Sequence, residues 1–269
     1  MRSQAIVVQR LGRKLPKLLT RVRIPAIAPS SKNWPRREKM KKVGLIGGVG
    51  PASTLDYYTG IIEGVREKAD GEYPEVIILS INMAEIISYI EKDQWDSVIL
   101  QLVRANEKLS AAGADFSAMA ANTLHLVFNE VSMRSPIPMI SIVDETCKYV
   151  KNSLYKRPLF IGTLFSMRNR LYSETMEKYG IASLLPSEED QKKIHSLFFP
   201  NLENGIVIPE DKVKMLALLN NIIIEQDADS VILGCTELPL MIKPRDLPVP
   251  IFDTTEIHIN SIVKRILSK

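Results

Sequence analysis

Two thiols, three imidazoles and a scatter of hydroxyls are the groups in this 269-residue chain that could do chemistry outside its carboxylates and amines. Cys235 has the most telling setting. Val231-Ile232-Leu233 is an apolar run that ends at Gly234 and hands the cysteine, followed by Thr236 and Glu237, to the first turn of the next element. A strand buried on both faces reads as continuous apolar sequence, and α/β sheets bind their ligands just beyond strand carboxyl ends. Residue type alone points the other way, since an unpaired cysteine is commonly a small buried apolar side chain. What decides between the two is what the rest of the chain brings to that strand end.

The length suits one large domain or two small ones, and 45% hydrophobic with 25% charged residues is an ordinary soluble composition. No stretch approaches the roughly 18 uninterrupted apolar residues of a membrane span. Cys147 and Cys235 lie far apart, without CxxC or Cys/His spacing, so neither a metal site nor a disulfide framework is expected, and the compartment reads as reducing and cytoplasmic. The net charge of +4 conceals an asymmetry. Residues 1–39 hold eleven Lys/Arg and one acid, Glu38, which leaves 24 bases against 30 acids in 40–269. Such a basic segment has the composition of a transit peptide or a nucleic-acid-binding arm. Met40-Lys41-Lys42 directly before an apolar strand supports a plainer reading, a disordered extension with no folded role and no nucleic-acid or membrane partner.

The elements that must position Cys235 alternate strand and helix. An apolar strand beginning at Val43 runs into the turn Gly47-Gly48-Val49-Gly50-Pro51, with Ser53 and Thr54 as caps for a helix to about Ala69. The turn is not GxGxxG, and the strand expected over 75–82 ends in Asn82 rather than an acid, so a nucleotide is weakly supported. Its backbone amides suit a phosphate or a carboxylate. Helices over 84–92 and 96–112, a strand over 115–120, the turn Ala121-Asn122-Thr123, a helix over 125–133 and a strand over 138–143 follow. The pattern then restarts: strand 158–163, helices 166–179, 188–199 and 209–226, strand 229–234, a short helix after Thr236, strand 249–252 and helix 254–267. Alternation of this kind predicts an α/β fold with parallel sheets.

An internal repeat places the thiol. Residues 114–121 lie on 228–235 without a gap at an offset of 114; Leu45-Ile46-Gly47 lies on Phe160-Ile161-Gly162 at 115, and Pro138-Met139-Ile140 on Pro250-Ile251-Phe252 at 112. Three matches in one order predict two similar Rossmann-like α/β lobes related by a pseudo-twofold axis, with the site in the cleft between them. Position 121 is then the counterpart of Cys235. One lobe offers Ala121, Asn122 and Thr123, the other Cys235, Thr236 and Glu237. Hydroxyls, an amide and free backbone N–H groups suit a small carboxylate, and the same N–H groups are expected to favour thiolate at Cys235.

With Ile46-Gly-Gly-Val-Gly-Pro51, Ala121-Asn-Thr-Leu-His125, Ile161-Gly-Thr163, Gly234-Cys-Thr-Glu237 and Phe252-Asp-Thr-Thr-Glu-Ile-His258 in this order, residues 42–268 resemble the aspartate/glutamate racemase family, the cofactor-independent amino-acid racemases. The resemblance implies a first lobe over 40–144 completed by 253–269, a second over 145–252, a homodimer, no pyridoxal phosphate or other cofactor, and an amino acid or dicarboxylate as substrate. It also implies two thiols, one after each central strand, that move a proton between opposite faces of the α-carbon. Cys235 matches the second thiol; the first falls on Ala121, which carries no proton. The implied reaction is therefore racemisation with Cys235 and a borrowed second acid, such as water. The alternatives are a single-thiol decarboxylase or isomerase and a carboxylate-binding variant without turnover.

In this reading Asn122, Thr123 and Thr236 hold the α-carboxylate and Val49 lines the same pocket. Arg168 is the only nominated cation for a second carboxylate, against the plainer reading of a solvated helix charge. His125, His195 and His258 are assigned structural roles, Cys147 a place in the core, and Asp253 with Glu256 the capping of the last helix.

Overall fold

The computed structural model describes residues 40–199, 201–202 and 205–269; the expectation for residues 1–39 lies outside them. Val43–Gly47 (β1), Val76–Ser80 (β2), Phe116–Met119 (β3) and Met139–Ile140 (β4) form one parallel sheet in the order β2-β1-β3-β4. Pro158–Ile161 (β5), Ser230–Leu233 (β6) and Ile251–Asp253 (β7) form a second, also parallel, in the order β5-β6-β7. Strands β1, β3, β5 and β6 are buried throughout, which is why they read as apolar runs.

The repeat extends to the register. Leu45 pairs with Ala118 and Ala118 with Ile140 in the first sheet; Phe160 pairs with Ile232 and Ile232 with Phe252 in the second. The flanking bonds repeat too. Asp115 Oδ2 accepts from the Lys42 N–H at 2.7 Å, and Asp229 Oδ2 from the Arg157 N–H at 2.9 Å. At the other strand end the Ala120 N–H donates to Ile46 O at 2.9 Å and the Gly234 N–H to Ile161 O at 2.7 Å. Each aspartate therefore fixes the start of its central strand, and residues 121 and 235 leave their sheets at equivalent points.

Helices Pro51–Lys68 (α1) and Trp95–Ala111 (α3) follow β1 and β2, with Met83–Glu91 (α2) between β2 and α3. Val43 and Leu45 face the cluster holding Tyr57 and Ile61 of α1, while Ile46 faces that of Leu102 and Leu109 of α3, so helices cover both faces of the sheet. After a 3-10 turn at Thr123–Val127 comes Phe128–Arg134 (α4), and Ile142–Asn152 (α5) follows β4. The second half adds Leu164–Arg168 (α6), Ser173–Lys178 (α7), Glu188–Phe198 (α8), Pro209–Gln226 (α9), Leu238–Met241 (α10) and Thr254–Ile266 (α11). The helix after the last strand of each sheet crosses over. Ile142, Cys147 and Val150 of α5 join the core around β5 and β6, and Ile262, Val263 and Ile266 of α11 join that around β1 and β3.

Four local expectations are corrected. Ser53 and Thr54 do not cap α1, whose N-cap is Gly50 with Pro51 in the first turn. Thr54 Oγ1 instead accepts from the Gly48 N–H at 3.0 Å and holds the glycine turn, while Ser53 Oγ donates to Ala120 O at 2.9 Å. The strand over 138–143 stops at Ile140 because the Ser141 side chain accepts from the Asp144 N–H and starts α5. The helix over 166–179 is two helices, broken where Arg170 takes a left-handed φ of 50°. The helix over 125–133 opens with the 3-10 turn before becoming α4.

Candidate active site

Each sheet delivers its site residues through a glycine. Gly48 after β1 has a φ of +89°, a conformation that turns the chain back so that Val49 and Gly50 face the second lobe. Gly234 after β6 lies against the Phe160 ring, where any Cβ would overlap the ring. Only glycine lets Cys235 leave the strand at that point.

A cleft of about 420 Å³ lies beyond these strand ends. All six nominated residues are in its wall: Val49, Ala121, Asn122 and Thr123 from one lobe, Cys235 and Thr236 from the other. Met83, Thr163, Phe198, Phe199 and Glu237 complete much of the rest, and no Lys or Arg is among the described residues that line it. A groove of about 460 Å³ along α5 and α11 contains Lys148, Lys264 and Arg265 but no thiol. The cleft is where the reactive group is.

Cys235 is half-buried, and its Sγ donates to Glu237 Oε2 at 2.9 Å. The expectation of a favoured thiolate is corrected. Burial first, then the charge and hydrogen bond of Glu237, push the thiol well above its ordinary range, and these outweigh the Thr236 and Glu237 backbone N–H groups that pull it down. The resting pair is therefore a thiol donating to a carboxylate. The Glu237 charge is also felt at Asp56, whose carboxyl is raised by burial and then by Glu237.

Asn122 is buried and already committed. Its Oδ1 accepts from Tyr172 Oη at 2.6 Å, and Nδ2 donates to Thr254 Oγ1 at 3.3 Å, leaving one amide hydrogen for the cleft. Thr254 in turn donates to Leu233 O at 2.9 Å, which ties the turn after β3 to the end of β6.

Two of the three histidines are tied into the fold through both ring nitrogens. The Ile142 N–H donates to His125 Nε2 at 3.1 Å, so the proton sits on Nδ1 and is donated to Ala121 O at 2.8 Å. Burial, then the nearby His258, lower His125 to about 3. His258 accepts from Tyr57 Oη on Nδ1 at 2.8 Å and donates from Nε2 to Ile140 O at 3.1 Å, and burial lowers it to about 4. Both are neutral struts behind the site. His195 lies on α8 with its ring centroid 4.5 Å from that of Phe199; its Nδ1 is buried without a hydrogen-bond partner, and the residue lines a cavity beside the cleft. Cys147 is fully buried, its thiol pushed up to about 12 by burial and Asp144. Arg168 is exposed at the end of α6 and does not line the cleft. Asp253 Oδ1 accepts from the Thr255 and Glu256 N–H groups at 2.8 and 3.3 Å and caps α11.

Two contributors were given no role from the sequence, although Glu237 was placed at the cleft. Glu237 stands two residues from the thiol within the Gly-Cys-Thr-Glu run, a signal that proximity alone offered. Tyr172 is 50 residues from Asn122, and nothing in the sequence pairs them. Among the described residues no group of three or more His, Cys, Asp or Glu is placed to hold a metal ion, and no helix is long and apolar enough to cross a membrane.

Compared with known proteins, residues 46–262 match the family described as Asp/Glu/Hydantoin racemase. The chain belongs to this family. Among its relatives, the broad specificity amino-acid racemase RacX of Bacillus subtilis (strain 168) is 24% identical over 237 residues, 84% of this chain and 98% of RacX. The crystal structure of an aspartate racemase homologue from Pyrococcus horikoshii OT3 is 36% identical with a TM-score of 0.77, covering 85% of this chain and all of that one. The Picrophilus torridus aspartate racemase, 22% identical with a TM-score of 0.66 over 84% of this chain and 94% of its own, shares the fold. The two-lobe α/β architecture is thus that of the racemase family, and its members place this chain among the isomerases.

Proposed function

We propose that the chain is a cofactor-independent amino-acid racemase in which Cys235 carries the α-proton. The observation that supports this most is the Cys235–Glu237 pair in the wall of the inter-lobe cleft, with Sγ 2.9 Å from Oε2, in a chain of the racemase family. Sγ passes its proton to Glu237 Oε2, and the thiolate so formed takes the α-proton of the bound amino acid. The electron pair of the broken C–H bond stays on the α-carbon, delocalised into the substrate carboxylate. That carboxylate is held by the Thr123 and Thr236 hydroxyls and by the remaining N–H of Asn122. The opposite face is reprotonated from the wall of Ala121 by a water molecule admitted beside the methyl group, with Thr123 as its hydrogen-bond partner. The hydroxide left behind is neutralised through solvent by the proton held on Glu237, which restores the starting pair. Proton transfers of this kind contribute about 10²–10⁴-fold each.

Ala121 favours a second reading. With one thiol, the same cleft suits a decarboxylase or isomerase that protonates a carbanion on a single face. Incubation with amino acids in deuterium oxide, followed by mass spectrometry and chiral chromatography, separates the two. Deuterium gained with inversion is the racemase outcome, and deuterium gained with retention assigns one-sided chemistry. Binding without any exchange contradicts both.

A further inference from the structure

Beside the cleft lies a second cavity of about 260 Å³ that shares five wall residues with it, Met83 and Phe199 among them. The two spaces therefore adjoin, and an amino acid bound by its α-carboxylate at Thr123 and Thr236 is placed to extend a side chain toward this annex. Its walls come from both lobes. Ile86 and Ile90, one turn apart on α2, face Leu164 and Phe165 at the start of α6, and Trp95 stacks on Phe165 with ring centroids 6.2 Å apart.

We propose that the substrate side chain held here is large, neutral and apolar, aliphatic or aromatic, rather than a second carboxylate; the proposal rests on the racemase reading of Cys235. Size permits it, since an apolar cavity of roughly 150 Å³ already accepts benzene. Charge requires it. Among the described residues neither the cleft nor the annex is lined by Lys or Arg, whereas Glu237 lies in the first and Glu91 in the second. A side-chain carboxylate entering this space loses its hydration, finds no Lys or Arg, and meets two acids of the same sign; the one basic side chain among the described residues of the annex wall is the His195 imidazole, whose Nδ1 has no hydrogen-bond partner. Arg168, the one cation nominated from the sequence, is exposed and lines neither space. An apolar side chain has no such charge to desolvate, and the isoleucines, leucines and phenylalanines of the annex are the surface it buries.

The test is titration calorimetry of the full chain with L-phenylalanine, L-leucine, L-aspartate and L-glutamate. The first two are expected to bind at least about tenfold more tightly than the last two, the scale on which apolar pockets discriminate. Equal affinities, or tighter binding of the dicarboxylates, overturn the proposal. Ile87 lines the annex from a position on α2 that is 40% exposed, so Ile87→Arg adds a cation there without disturbing the core. It is expected to narrow or reverse the preference; an unchanged ratio of phenylalanine to glutamate affinity removes the side chain from the annex. Turnover separates this from the reading beneath it. Tight binding of phenylalanine without α-deuterium exchange leaves the annex assignment standing and defeats the racemase reading. Faster exchange and tighter binding of aspartate do the reverse.

Discussion

Tyr172→Phe removes the hydroxyl that donates to the Asn122 carboxamide oxygen. Tyr172 is fully buried in the core of the second lobe, and Oη donates to Asn122 Oδ1 at 2.6 Å. Asn122 passes the link to Thr254, and Thr254 to the carbonyl of Leu233, two residues before the thiol. Without the hydroxyl a buried carboxamide oxygen is left unpaired, which costs about 1–3 kcal/mol. For a body of this size each kcal/mol lowers Tm by about 2–4 °C, so a fall of roughly 2–12 °C is expected. Chemical denaturation of Tyr172→Phe, Asn122→Ala and the double variant measures the coupling directly. Residues sharing one such network couple by about 0.5–3 kcal/mol. Because the same bond fixes which way the last Asn122 N–H points, Tyr172→Phe should also raise KM for the amino acid. An unchanged Tm for Tyr172→Phe, or free energies additive within about 0.5 kcal/mol, would refute the network.

Ala121→Cys puts a second thiol on the wall opposite Cys235 and should raise the ratio of inversion to α-proton exchange by about tenfold or more, toward the range of a positioned acid; chiral chromatography reads it, and an unchanged ratio argues against the geometry. Glu237→Gln removes the charge that helps hold up the Cys235 thiol, so the pH profile of alkylation at Cys235 should move to lower pH, and a profile that stays put or moves upward contradicts the pairing. His125 and His258 are held at about 3 and about 4, below the ordinary 6.5, so their stabilising contribution is complete above pH 6.5 and is lost as pH falls through about 4 and then about 3. At about 1.4 kcal/mol per tenfold, the share of His258 is on the order of 3 kcal/mol. Urea melts between pH 7 and pH 4 should show the decline, and a flat profile would mean these imidazoles are protonated in place.

Much of this architecture is written in local signals. β3 and β6 announce themselves as apolar runs preceded by Asp115 and Asp229, and because both aspartates bind the same backbone position in their lobes, an offset between sequence segments became an offset between sheet registers. Cys235 and Ala121 could be paired for that reason. Other features depend on what packs from far away. The break at Arg170 uses a left-handed conformation that arginine does not advertise. Thr54 was placed as a cap by its position before a helix, but the Gly48 N–H across the turn claims its hydroxyl. Backbone N–H groups near Cys235 were legible and correctly point toward thiolate; the burial and the Glu237 carboxylate that outweigh them come from the folded site. The annex was beyond reach altogether, since its walls come from α2 and α6, about 75 residues apart in the chain and joined only across the lobes.

The central claim is that the Cys235 sulfur moves the α-proton, and α-deuterium incorporation by the unaltered chain and by Cys235→Ser, in deuterium oxide with L-phenylalanine and L-aspartate, tests it most directly. Serine keeps the size and the hydrogen bond to Glu237 but is a far poorer acid and base. Incorporation by the unaltered chain and a fall of about 10²–10⁴-fold in the variant, at unchanged Tm, is the predicted result. Incorporation by Cys235→Ser at the unaltered rate would contradict the account.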